Sequence, residues 1–230
     1  MLRRTWCKPL ANAWSVRDGV LLIYAIAIAQ MAIFVGVTYA LARAFGLAPR
    51  VIALGIPAVL RVRKARPEIR VGPLPSASVE LAGESVEAGT RVTYRGLSRT
   101  KRVAIVLAPW AVVMAIAIAC IGVGPAWRSF VRGFGQMLVT VDLAPLVRRM
   151  IAIAHESPFA VTTGIFLAKL AAMNLLPFGG LAGGMLVSQI AAPAGRDVPA
   201  GVTKFMMITL LVWMLWTLGR LAWVVVQLAR

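Results

Sequence analysis

The stretch Lys169–Ser188 reads K-L-A-A-M-N-L-L-P-F-G-G-L-A-G-G-M-L-V-S, and its reading decides how the rest of the chain is understood. It begins inside an apolar run and ends in four glycines, Gly179, Gly180, Gly183 and Gly184. Asn174 and Pro177 interrupt the run with an amide and a missing backbone donor, and lipid cannot satisfy the groups this leaves. Such a break survives only where protein or a water-filled cavity covers it. Small residues at the same place let neighbouring helices approach closely. Taken alone, these residues describe a glycine-rich packing seam in a helical membrane protein.

The composition around this seam agrees. The 230 residues are 60% hydrophobic and their mean hydropathy is +0.83, well outside the range of soluble domains. A bilayer core of ~30 Å needs about 20 apolar residues to cross it. Four runs qualify: about 19–42, 103–126, 158–178 (which carries Lys169) and 205–229 (interrupted by Arg220). The expected fold is an α-helical integral membrane protein of four transmembrane helices. A basic leader at 1–18 precedes a single membrane domain at 19–230. The first run is too long for a signal-peptide core of about 7–15 residues. Cys7 and Cys120 make neither a disulfide framework nor a metal motif.

Net charge is +17, and the cations sit in the connections. Between Arg43 and Arg102 there are twelve Lys or Arg against four acids. With four crossings, this connection shares a side with the 190–204 loop, and that side carries 14 basic residues against 10 opposite. The bias puts the 43–102 connection in the cytoplasm of a bacterium whose inner membrane holds the chain. The Arg61–Arg66 cluster lacks the aromatic interleaving of a nucleic-acid surface, so anionic lipid headgroups are its expected contact.

Two connections have character of their own. Residues 50–98 read as β-rich: Ser78–Leu81 and Arg91–Tyr94 alternate polar and apolar, Ile69–Val71 is a further short strand, and Gly55-Ile56-Pro57 and Gly72-Pro73-Leu74-Pro75 read as turns. A small membrane-associated β-hairpin region between the first two spans is expected. Residues 127–156 alternate arginines with apolar side chains, the pattern of a stretch lying at the headgroup boundary. Lys169 is the one charge well inside a run. Intramembrane ions are costly and are normally paired or functional, so it implies a snorkelling side chain, a partner protein or a polar cavity.

Asn174-Leu175-Leu176-Pro177-Phe178-Gly179-Gly180-Leu181-Ala182-Gly183-Gly184 resembles the N-x-x-P-x-P-x-L-D-G-G signature of the site-2 protease family of intramembrane zinc metalloproteases. Asn174, Pro177, Leu181, Gly183 and Gly184 match it. Gly180 or its neighbour Gly179 replaces the second proline, and Ala182 stands where the family has its zinc-ligating aspartate. Ala42-Arg43-Ala44-Phe45-Gly46-Leu47 is similar to the A-R-x-x-G-V/L that follows the family's catalytic helix. The H-E-x-x-H motif expected just before it corresponds to Phe34-Val35-Gly36-Val37-Thr38. Ile105–Pro109 resembles the approach into the family's next helix, but Val112 or Val113 replaces an asparagine that lines the working site. Leu74–Val79 lies where the family has an edge strand that holds substrate in extended form.

A zinc hydrolase site needs three protein ligands, a water and a carboxylate base. The chain has one histidine, His155, and no acid between Asp18 and Glu68. His155-Glu156 opens like the motif, but it lacks the closing histidine and runs into Pro158. The resemblance therefore implies a catalytically inactive member with no catalytic residue, no metal and no cofactor. Its degenerate positions are Phe34, Val35, Thr38, Val112 and Ala182. Its expected work is to bind another membrane protein, as scaffold, assembly or regulatory subunit. The groove for this comprises Asn174, Pro177, Gly179, Gly183, Gly184 and Lys169 with Leu74, Ser78, Val79 and Leu81 of the strand edge. Expected partners are membrane lipid and one or more membrane proteins, and no nucleic acid. Two alternatives are a zinc protease completed by a partner chain, and a small transporter or channel subunit using Lys169 and Asn174.

Overall fold

Long runs of Ala, Ile, Leu and Val with few breakers give the chain its helices, and glycines end them. The computed structural model describes residues 16–56, 58–62, 67–72, 74–81, 94, 96–138, 143–178, 181–191 and 199–228. Helix α1 (Val16–Ala44) buries Ile26, Met31, Val35 and Ala42 along one stripe and leaves Leu21, Tyr24 and Ile28 exposed. It closes with Gly46 at φ 80°: Leu47 N–H donates to the Ala42 carbonyl and Gly46 N–H to that of Arg43. This is a Schellman cap, with Leu47 and Ala42 buried together as its hydrophobic contact.

A four-stranded sheet follows: β1 (Pro49–Ile56), β2 (Leu60–Val62), β3 (Glu68–Val71) and β4 (Leu74–Leu81), in the order β2-β3-β1-β4. β1 runs parallel to β3 and antiparallel to β4, while β2 and β3 are antiparallel. The region is thus a small mixed sheet, larger than the expected hairpin. Gly55-Ile56 and Leu74-Pro75, both expected in turns, lie instead in β1 and β4. Gly55 lies inside β1 with φ 90°, at a register shift where its Cα faces the Gly72 carbonyl with no room for a Cβ. A glycine there bends the strand without ending it. Of the expected Arg91–Tyr94 strand, Arg91–Thr93 lie outside the described residues and Tyr94 is in a turn.

Helix α2 (Arg99–Ile121) starts at Ser98, whose Oγ accepts from the Lys101 N–H at 3.4 Å, and stops at Gly122 with φ 80°. The expected span 103–126 therefore ends at Ile121, and α3 (Val123–Leu138) begins at once. α4 (Leu143–Glu156), α5 (Phe159–Asn174), α6 (Ala182–Ala191) and α7 (Ala200–Leu228) complete the chain.

α5 is the central helix. Gly164 meets Cys120 and Ile121 of α2, while Lys169 and Ala172 meet Gly133 of α3. Ala168, Ala171 and Ala172 are fully enclosed. Small side chains on α5 thus set two helix crossings at once. The main core joins Ile26 of α1, Val113, Met114 and Ala117 of α2, Ala126 and Phe130 of α3 and Phe166 of α5. The amphipathic 127–156 stretch consequently divides into two helices, and α3 turns its apolar side onto α5.

Three helices are long and apolar enough to cross a membrane: α1, α2 and the Ala200–Thr217 part of α7. The expected span 158–178 is interrupted. α5 has 16 residues, roughly 24 Å at 1.5 Å per residue, against a bilayer core of about 30 Å. It ends where Asn174 Nδ2 turns back to donate to the Leu170 carbonyl at 3.1 Å.

Candidate functional site: the 174–184 turn and the outer strand

The turn after α5 is built from backbone. Leu175 N–H donates to the Ala172 carbonyl, Leu176 N–H to Met173, and Phe178 N–H to Leu176. Leu176 is buried and Pro177 exposed. Gly183 and Gly184 bring the start of α6 directly onto this turn. A Cβ on Gly183 would collide with the carbonyl oxygens of Leu175 and Leu176. One on Gly184 would strike the Phe178 carbonyl and come within 2.9 Å of Met206 Cε. Only a residue without a side chain permits that approach. Phe178 in turn packs its ring on Trp213 of α7, centroids 5.5 Å apart. Gly183 and Gly184, with Phe178, thus join the end of α5 to α6 and α7, whereas Asn174 bonds within α5 and Pro177 is exposed. Gly179 lies outside the described residues.

The positions that correspond to the family's metal ligands are scattered by comparison. Val35 is buried in α1, Phe34 packs against the main core, and Thr38 is half-buried one turn on. Ala182 is half-buried at the first residue of α6. α2 packs against both α1 and α6 and so links the two regions. Val112 of α2 points outward, whereas Val113 is fully enclosed beside Phe166. Between the two, Val113 is the residue that faces the helical core, a distinction the motif alone could not make. His155 falls in the last turn of α4. Among the described residues, no three His, Cys, Asp or Glu side chains come together as a metal site.

Lys169 Nζ donates to Gln136 Oε1 of α3 at 2.9 Å. This acceptor was missed because Gln136 sits 33 residues away in a stretch read as interfacial. The only available signal was Gly133, a small residue one turn earlier on the same helix.

In the sheet, β4 takes β1 on one side and, among the described residues, no strand on the other. Ser78 pairs with Ala53, Val79 with Ile52, Leu81 with Pro49 and Leu74 with Ile56. Ser78 and Glu80 are exposed and Val79 half-buried, the alternation of a strand with one covered face. Both β4 and β1 pack against α1. Arg70 on β3 holds Glu68 at 2.9 Å and reaches Glu80 on β4 at 3.5 Å, so charge crosses the sheet above β1. The Glu68 carboxylate beside it raises the affinity of the Arg70 guanidinium for its proton.

The chain matches no protein-family model, no curated protein and no solved structure.

Proposed function

We propose that this chain is a site-2-protease-like membrane protein without catalysis, which binds another membrane protein as scaffold, assembly or regulatory subunit. The observation that carries the reading is β4, an outer strand lying against the helix where the family keeps its zinc motif. An outer strand recognises an extended segment through main-chain hydrogen bonds, which need no metal and no particular side chain. The sequence supports the same reading, because one histidine cannot supply H-E-x-x-H and Ala182 carries no oxygen ligand. Recognition can outlast the chemistry.

In this reading, α5 with the 174–184 turn and α6 completes the fourth crossing, and the 43–102 connection faces the cytoplasm of a bacterial inner membrane. Phe34, Val35, Thr38, Val112 and Ala182 then offer a metal neither an imidazole nor a carboxylate. The transporter alternative rests on Lys169 and Asn174, each of which makes one hydrogen bond within the helices, to Gln136 and to the Leu170 carbonyl.

The test is purification of the full chain in mild detergent, with mass spectrometry of co-isolated proteins and metal analysis of the same sample. A defined membrane protein at near-stoichiometric yield, with no matching zinc, is the expected result. Stoichiometric zinc together with cleavage of a single-pass substrate would establish the protease reading instead.

A further inference from the structure

α3, α4 and α5 bring three cations toward one place, with no acid paired to them among the described residues. Gly133 of α3 rests on the Lys169 backbone of α5, which sets Arg132 and Gln136 on either side of that contact. Gln136 Oε1 accepts a hydrogen bond from Lys169 Nζ. α4 folds back on α5 across Ser157-Pro158, with Thr162 Oγ1 donating to the Ile153 carbonyl at 3.2 Å. Arg149 lies seven residues before the end of α4 and Lys169 ten after the start of α5. At 1.5 Å per residue these are roughly 10 and 15 Å from the turn, similar heights on facing helices.

The charges that act on Lys169 are Arg149 and Arg132, both positive. Neither arginine nor the lysine makes an ion pair among the described residues. Both arginines are exposed, and Trp127 stands exposed on α3 little more than one turn from Arg132. Cations and tryptophan on an amphipathic helix are the composition of the headgroup layer. Three like charges brought close repel one another, and an anion between them relieves that repulsion.

We infer that Lys169, Arg132 and Arg149 form a binding site for the phosphate of an anionic phospholipid, with Gln136 orienting the lysine. The lipid is the ligand, and not a soluble phosphate, because the cluster belongs to helices whose neighbouring surface is apolar and aromatic. This inference stands on the α3–α4–α5 packing and is independent of the scaffold reading.

The test uses the full chain in nanodiscs of equal parts phosphatidylglycerol and phosphatidylcholine, ejected for native mass spectrometry. The wild-type chain should retain phosphatidylglycerol preferentially. Arg132→Gln with Arg149→Gln should lower that retention about thirtyfold, given the contribution of each cation near a membrane surface. Arg99→Gln with Lys204→Gln, two exposed cations elsewhere, should leave it unchanged. Lys169→Gln should also lower it, with helix content checked by circular dichroism. Both arginine variants keep their apolar packing, so they report binding even if the lysine variant unfolds. Equal retention in the two double variants would overturn the site. Displacement of the lipid by millimolar inorganic phosphate would overturn the lipid assignment, as would an acidic peptide of another protein crosslinked at Arg132.

Discussion

Gly183 and Gly184 show what a single missing Cβ can hold together. Each lies against a backbone carbonyl of the preceding turn, a neighbour that cannot rotate away. Gly183→Ala is expected to cost roughly 3 kcal/mol or more, the upper end for overpacking. Gly36 makes the contrast, since no atom stands within 4 Å of where its Cβ would be. Gly36→Ala should stabilise α1 by roughly 0.5–1 kcal/mol through lost backbone entropy alone. Thermal denaturation of both variants in one detergent compares them directly. Much at this scale is legible in the sequence: Gly183, Gly184 and Gly46 announce themselves by motif, and each proves to have a backbone reason. Lys169 is legible as an anomaly but its answer is not, because Gln136 is brought to it by a helix crossing that no local pattern specifies.

Helices and strands are written less plainly than single residues. β1 was hidden because Gly55 and Pro57 carry the marks of a turn, whereas a positive φ inside a strand makes a bulge. α2 ends at Gly122 although the apolar character continues to Ala126, since hydropathy does not record where backbone direction changes. α5 is shorter than its apolar run because Asn174 and the turn end it early. α7 packs against α4 and meets the turn through Met206 against Gly184 and Trp213 against Phe178. Phe178→Ala should therefore loosen α7 from the turn at a cost of about 1–2 kcal/mol, less than for a fully buried ring. Disulfide trapping between cysteines placed at Leu181 and Leu210 should become slower in that variant. The Arg70–Glu80 contact is the opposite case, since its carboxylate is more than half exposed. Glu80→Gln should change stability by no more than about 0.5 kcal/mol, measured by the same melting experiment.

Over the whole molecule, the distribution of exposure carries the argument. Phe205, Met207, Leu211, Leu215 and Trp216 of α7 are each more than half exposed, an apolar surface that water would not leave open. Cysteines at Met207 and Leu215 should resist a water-soluble maleimide in membrane vesicles, while cysteines at Leu60 and Arg99 should react on one common side. Reaction of those last two from opposite sides would contradict the four-crossing arrangement. Helices long and apolar enough to cross a membrane are legible from composition alone. The proposed partner is not, because an outer strand would recognise backbone and so leave little trace in its own side chains. The most direct test is a photo-crosslinking residue at Ser78 on the outer strand, irradiated in native membranes beside one at Met207 on α7. The account predicts a discrete adduct with one other membrane protein from Ser78 and only lipid from Met207. Lipid alone at both positions, or the same protein adduct from both, would contradict it.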